Sequence, residues 1–372
     1  MKLRVPPRYL GVCARPRLSL PPPSGAGSSA DNRSPVDTAS ESAQLSTATS
    51  DPQPGLHPHK LLALYHTMVM ARALERRIWV LNRLSNLDVA IPVSGFEAIQ
   101  AAAAAALRPG VDWIVPHQSD LALCLAMGLS PADVMFAVFG RASDPSSGGR
   151  QSPGNFGLKH VRIVSTSALL GTQVVHAAGI AYASRLRGLD EVTLVTISEP
   201  GTATGDWHEG LNFSAVHRLP LVCIVQDGSQ RMGVLGQSGS EAVARRAAGY
   251  GIRGETVDGT DFPAGFASIT RAFERARAGE GPTLVHARVV ELTSLAHTGG
   301  LRPQEEMEAL AWHDPIELMR RHLHESRMLD DSTDHQIQRD AISVVDAAVE
   351  QAQSAPAPEP TRALDNVFSG RL

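Results

Sequence analysis

Two short apolar runs rich in β-branched residues, Val192 to Ile197 and Leu221 to Val225, bracket one segment of helix length. Parallel strands joined through a helix pair by a right-handed crossover, which brings both carboxyl ends to the same edge of one sheet. Each run here ends in an oxygen-rich loop, Ser198-Glu199-Pro200-Gly201 after the first and Gln226-Asp227-Gly228-Ser229 after the second. Open α/β sheets hold their ligands at that edge. The spacing therefore predicts that Glu199 and Asp227 lie near one another. Two such acids suit a hard cation that in turn grips phosphate; the plainer reading makes them ordinary solvated loop residues.

The rest of the chain repeats the alternation. Trp113 to Val115, Glu255 to Val257 and Thr283 to Val290 read as strands. Helical spacing runs from Pro58 through Leu61, Leu62, Tyr65, Met68, Val69 and Leu74, then over Phe96 to Leu107 and from the Ser130-Pro131 start. It returns over Gly171 to Arg187, Glu241 to Tyr250 and Phe262 to Ala278. This alternation predicts an α/β fold, a mainly parallel sheet with helices on both faces. Beyond Arg302 helices alone are expected, over Pro315 to His324 and Asp331 to Gln353. Arg141 to His160, rich in Gly, Ser and Pro, reads as a long loop of functional or mobile type. Residues 56–354 are expected to form the α/β domain with its C-terminal helices. A low-complexity, disordered extension over 1–55 precedes it, and a Pro-rich tail over 355–372, with Val367 and Phe368, follows.

A chain of 372 residues with 43% apolar content can bury a large core. Its net charge of −4 offers no footprint for nucleic acid, and no apolar run approaches the ~18 residues that a membrane span needs. Cys13, Cys124 and Cys223 show no metal-ligand spacing and suit a reducing compartment, with the latter two expected in the core. Lysine occurs at positions 2, 60 and 159 alone while arginine abounds, a bias typical of GC-rich coding. The first thirty residues hold Lys2, Arg4, Arg8, Arg15 and Arg17 and no acid, as in a mitochondrial transit peptide. The Arg-for-Lys bias favours a bacterial extension, and hence a cytoplasmic protein, over a matrix one.

Common nucleotide and hydrolase signatures are missing: no Gly-x-Gly-x-x-Gly opens a helix after a strand, no Gly-Lys-Ser/Thr loop occurs, and Ser238 lacks an elbow. Several separate segments point elsewhere. They are Gly148-Gly149-Arg150-Gln151, Gly171-Thr172-Gln173-Val174-Val175-His176-Ala177, Gly205-Asp206-Trp207-His208-Glu209-Gly210-Leu211-Asn212-Phe213, and Ala248-Gly249-Tyr250-Gly251 with Val257-Asp258-Gly259. In this order, from about Leu61 to Phe368, the chain resembles the α subunit of the thiamine-diphosphate-dependent 2-oxo acid dehydrogenase decarboxylating component, the branched-chain type more than the pyruvate type.

The resemblance implies a thiamine-diphosphate site that opens at an interface with a separate β subunit in an α2β2 assembly. A lipoyl-bearing acyltransferase and a small 2-oxo acid complete the set of partners. Positions matching the family's cofactor contacts are Ser119, Leu170, Glu199, Gly201, Gln226 and Gly228. Magnesium would fall to Glu199, Asp227, Gly228 and Gln230, and a monovalent cation to the region of Ser167, Thr172 and Gln173. His297 matches the histidine of a mobile active-site loop, its other reading being an ordinary loop residue; His117 and His176 stand behind it. The match also departs from the pattern. The family's Gly-acid-Gly reads Ser198-Glu199-Pro200, its metal-binding Asn is Gly228, its Tyr-Arg pair is Gln118-Ser119, and Asn155 replaces a usual His. A diverged, non-catalytic scaffold or regulatory paralogue is therefore one alternative, and a pyruvate or acetoin dehydrogenase subunit another.

Overall fold

The computed structural model describes residues 56–365 except 86, 88, 166, 229–242 and 294–303. Its centre is a five-stranded sheet in the order β1-β2-β3-β5-β4, and every neighbouring pair is parallel. The strands are β1 (Trp113–Val115), β2 (Thr193–Ser198), β3 (Leu221–Asp227), β4 (Arg253–Asp258) and β5 (Thr283–Arg288). Buried throughout, β3 carries an unbroken apolar run instead of an alternating one, as a strand covered on both faces requires. The exposed edge strand β4 is the polar one.

Alternate residues of each strand feed two separate cores. Leu194, Val222, Ile224, Val285 and Ala287 join the larger, with helices α1 (Pro58–Ser85), α2 (Glu97–Ala106), α3 (Leu121–Ala126), α4 (Pro131–Val138) and α7 (Phe262–Arg277), and the C-terminal helices α9 (Pro315–Glu325) and α10 (Asp331–Ser354). Val195, Ile197, Cys223, Val225 and Leu284 face the smaller, built by α5 (Thr172–Leu186) and α6 (Gly205–Val216) around fully buried Trp207. Each large aliphatic side chain so buried contributes about 2 kcal/mol. The alanine run of α2 serves close packing: Ala101 to Ala105 are buried and α2 lies on α7, where a Cβ on Gly265 would meet Ile99 at 3.1 Å and Ala102 at 3.4 Å.

Local signals set most boundaries. Ser130 caps α4 in a reciprocal capping box with Asp133, and Pro131 opens the first turn. Two helices escape the sequence reading. One is α3, whose Leu-Ala-Leu-Cys-Leu-Ala run is apolar all round and shows no period; the other is α8 (Gln304–Ala311). The helix expected over Glu241 to Tyr250 is instead a 3-10 helix over Val243–Tyr250. Only Val243 and Ala247 of it are buried, and Gly249 weakens helical propagation, so the segment has too small an apolar face for a full α-helical ladder.

Buried polar ties hold the helical layer. Arg72 of α1 bonds Glu97 of α2 at 2.5 Å and grips Asp314, the cap of α9, with two nitrogens at 2.9 and 3.1 Å. Glu75 accepts from the backbone N–H groups of Val93 and Ser94 and from the Thr293 hydroxyl at 2.9 Å. At the other end of the chain, Arg150 in the long loop donates to the carbonyls of Asp365 (2.6 Å) and Arg362, and Ala142 N–H to Pro356. The Pro-rich tail is thus tied to that loop at Pro356, Arg362 and Asp365, while Val367 and Phe368 fall outside the described residues.

The turn into α2 demands glycine at position 95. Its φ is +103°, and a Cβ there would stand 1.6 Å from the carbonyl oxygen of Val290. Gly95→Ala is expected to destabilise the chain by roughly 3 kcal/mol or more, read as a lowered urea midpoint with an unchanged slope.

Candidate functional site

The site is assembled where β1, β2 and β3 end. Register pairs Ser198 with Gln226, so the first residues beyond both strands leave the sheet side by side, as the crossover topology requires. Glu199 opens a 3-10 turn (Glu199–Ala203) whose carbonyl is held by the Thr202 hydroxyl at 2.7 Å. Arg246, stacked over Trp207, in turn donates to the Thr202 carbonyl at 2.9 Å. Glu199 is 2% exposed, and among the described residues neither carboxylate oxygen has a hydrogen-bond partner. An ionised group in that position is costly unless something binds it.

Asp227 has a different environment. As the last residue of β3 it shares a sheet face with His286 of β5, and its Oδ2 lies 2.7 Å from His286 Nε2, both residues being buried. Gly228 has no side chain to offer; the nearest group to the space beside it is Glu291. Gln230 and His297 lie outside the described residues. Among the described residues no three His, Cys, Asp or Glu side chains gather as a metal cluster.

On the opposite face of the sheet sits a buried network that sequence reasoning missed. The Asp120 carboxylate accepts from the Thr196 hydroxyl, from Gln226 Nε2 at 2.6 Å and from the His117 backbone N–H at 2.9 Å. Gln226 Oε1 accepts from Gln100 Nε2 at 3.1 Å, and the same amide reaches the Ser119 carbonyl at 3.0 Å. The Ser119 N–H donates to His117 Nδ1 at 3.2 Å. Burial pushes the Asp120 carboxyl above the usual carboxylate range, against the pull of His117 and its hydrogen-bond donors. Burial likewise pushes His117 below the ordinary histidine value, opposed by the Asp120 charge. The one available signal was an acid just before the apolar run Leu121 to Ala126, in a loop that follows a strand.

The remaining expected positions line the entry to α5. Thr172 donates to the Leu169 carbonyl at 2.7 Å, and the Ser167 hydroxyl accepts from the Leu169 N–H. Gln173 donates to the Thr196 carbonyl at 3.4 Å and keeps a buried Oε1 with no partner among the described residues. Gly171 has φ +90° and touches the α6 cap, Thr204, so closely that a Cβ would lie 2.0 Å from its hydroxyl. Gly201 packs on Ile197, Leu170 is 46% exposed, and buried Asn155 leaves Oδ1 unpaired. His176 is exposed on α5, whose buried face carries the adjacent Ala177 and Ala178 instead. His208 is joined to Tyr250 and stacks edge-on against Trp207. Cys124 and Cys223 are buried free thiols in the two cores, and burial pushes the Cys223 thiol up to about 12.

A model of the dehydrogenase E1 component family matches residues 65–361, most of the described chain. The chain belongs to that family. It is 38% identical over 320 residues to the 2-oxoisovalerate dehydrogenase subunit alpha of Bacillus subtilis, covering 85% of this chain and 97% of the relative. It is 36% identical over 279 residues to the 3-methyl-2-oxobutanoate dehydrogenase subunit alpha of Mycobacterium tuberculosis, covering 74% and 73%. The pyruvate dehydrogenase E1 component subunit alpha of Acholeplasma laidlawii stands at 29% over 308 residues, covering 81% and 86%. The resemblance read from the motifs and the parallel α/β fold are both borne out. E1 membership implies thiamine diphosphate as cofactor.

The residues of this E1 chain fit a cofactor-bound cation at Glu199, whose two buried oxygens have no other partner among the described residues. The free Oε1 of Gln173 is a second oxygen of that kind. Elsewhere the side chains are already engaged, Asp227 by His286 and Gln226 by Asp120 and Gln100.

Two outcomes follow from the network. Asp120→Ala strips the acceptor from three buried donors and is expected to cost roughly 3 kcal/mol in chemical denaturation. His117, with its folded pKa below the unfolded ~6.5, binds its proton later in the folded state than in the unfolded one. Its contribution to stability is therefore present above pH ~6.5 and lost as pH falls toward the lowered value; replacing His117 by Asn is expected to flatten the fall in stability below pH ~6.5.

Proposed function

We propose that this chain is the α subunit of a branched-chain 2-oxo acid dehydrogenase decarboxylating component, with a substrate of the 3-methyl-2-oxobutanoate type. The names of the two more similar relatives support this choice over pyruvate, whose relative is the more distant. In the overall reaction the 2-oxo acid loses carbon dioxide, and its acyl fragment passes to a lipoyl sulfur of an acyltransferase as the lipoyl disulfide is reduced. Bound thiamine diphosphate supplies the carbanion chemistry for this.

The chain's own residues hold and orient. Glu199 is the ligand for magnesium on the diphosphate, and its unpartnered burial is the observation that carries the reading. The oxygen set of Gln173 Oε1, Thr172 and Ser167 supports a monovalent cation at the start of α5. Gln226 and Asp120 keep the β1, β2 and β3 ends in register, and Gln226 stays with Ser119, Leu170 and Gly201 among the candidate cofactor contacts. His297 remains the candidate at the reacting end, and Asp227, Gly228 and Gln230 the remaining positions of the family's cation site.

Completion of the site by a β subunit, in an α2β2 assembly, agrees with the apolar surface around it. Leu169 and Leu170 are exposed just before α5, and Val175 on its first turn. No described helix is long and apolar enough to cross a membrane, and the bacterial relatives support a cytoplasmic setting. The non-catalytic alternative is not favoured, since Glu199 is kept buried with free oxygens and the relatives are named as dehydrogenase subunits.

The test is a calorimetric titration of thiamine diphosphate with magnesium into the co-expressed α and β chains. Binding at roughly micromolar Kd in the wild type, abolished in Glu199→Ala, is the expected result. Absence of heat at millimolar cofactor would exclude the reading.

A further inference from the structure

His117 stands just beyond the carboxyl end of β1, and the reading above gives it no task. Its position is unusually well fixed. The backbone N–H is shared between Thr196 Oγ1 at 2.7 Å and Asp120 Oδ2 at 2.9 Å, which ties it to β2 three residues before Glu199. The ring is fixed as well, because Nδ1 accepts the Ser119 N–H at 3.2 Å. An imidazole that accepts at Nδ1 carries its proton on Nε2 when neutral. Neutrality is what the surroundings favour, since burial disfavours the imidazolium.

Nε2 makes no hydrogen bond among the described residues, yet it is not among the sealed, unpartnered atoms of the interior, and the residue is half-buried. The nearby carboxylate of Asp120 makes no hydrogen bond to this donor and is engaged instead by Thr196, Gln226 and the His117 backbone. Gln226 is closed into the same network, and position 119 holds a serine. The ligand edge therefore has an oriented N–H that nothing among the described residues receives.

We propose that His117 binds ligand at this edge, donating from Nε2–H to an anionic oxygen, either of the cofactor's diphosphate or of the 2-oxo acid's carboxylate. This rests on the function proposed above. Two substitutions separate ligand binding from a structural role. His117→Asn keeps an acceptor where Nδ1 stood, so the Ser119 N–H stays satisfied, and removes the distal donor. His117→Gln places an amide N–H near the former Nε2 and gives up the near acceptor.

The experiment measures thiamine diphosphate binding with magnesium by calorimetry, and KM for 3-methyl-2-oxobutanoate, on the co-expressed α and β chains. His117→Asn is expected to weaken one of the two by about tenfold or more while His117→Gln stays within about threefold of wild type. A change in cofactor Kd identifies the diphosphate as the acceptor; a change in KM alone identifies the carboxylate. A purely structural role predicts the reverse order, with Asn tolerated and Gln damaging, and that order overturns the proposal, as does equal loss in both variants with a lowered melting temperature. If wild type binds cofactor and His117→Asn leaves both constants unchanged, the proposal alone falls. If wild type binds no cofactor, the proposed function falls and takes this with it.

Discussion

Parallel pairing of β1, β2 and β3 in one register sets every distance at the site, because it delivers three loops to a single edge. Backbone hydrogen bonds alone would let those loops splay as they leave the sheet. The Asp120 carboxylate prevents this by accepting from the loop after β1, from Thr196 on β2 and from Gln226 on β3. One buried acid thus does for the strand ends what the ladder does for the strands. The low dielectric that makes an unpaired carboxyl so unfavourable there also strengthens each of these bonds.

Strand parity explains why the two acids first suspected of sharing a cation have separate surroundings. Gln226 and Asp227 are adjacent in sequence and point to opposite faces of β3, one toward α2 and the other toward His286. The Asp227 carboxylate meets its partner within the sheet layer. Glu199, already off the strand in a tight turn, has no partner for its oxygens among the described residues. Spacing along a chain brings residues to an edge; side-chain parity and the first turn beyond the strand decide what they face.

Much of the fold was legible for the same reason. Buried parallel strands carry runs such as Val192 to Ile197, caps such as Ser130 announce helix starts, and the alternation of the two leaves few topologies. The short helix α3 was not legible, because an all-apolar run lacks a period, and the 3-10 geometry of Val243–Tyr250 depends on how little of it is buried. At the site, Glu199 could be read from its place after a strand. The network around Asp120 could not, since its members are Gln100, Asp120, Thr196 and Gln226, which no local pattern links. The pairing of Asp227 with His286 joins residues 59 apart and is likewise invisible in sequence.

The sheet order has a consequence for how the chain comes off the ribosome. Strand β3 has its final neighbour in β5, which is made after β4, although β4 ends up outermost. Until Thr283–Arg288 has emerged, one side of an apolar, fully buried strand has no native partner, an interval of several seconds at roughly 5–20 residues per second of synthesis. During that time the half-made sheet presents the open edge that other nascent chains pair with most readily. Insertion of β5 between two earlier strands also closes a long loop late, which slows folding. The strand order itself thus fixes which edge of the sheet waits longest for its partner during synthesis.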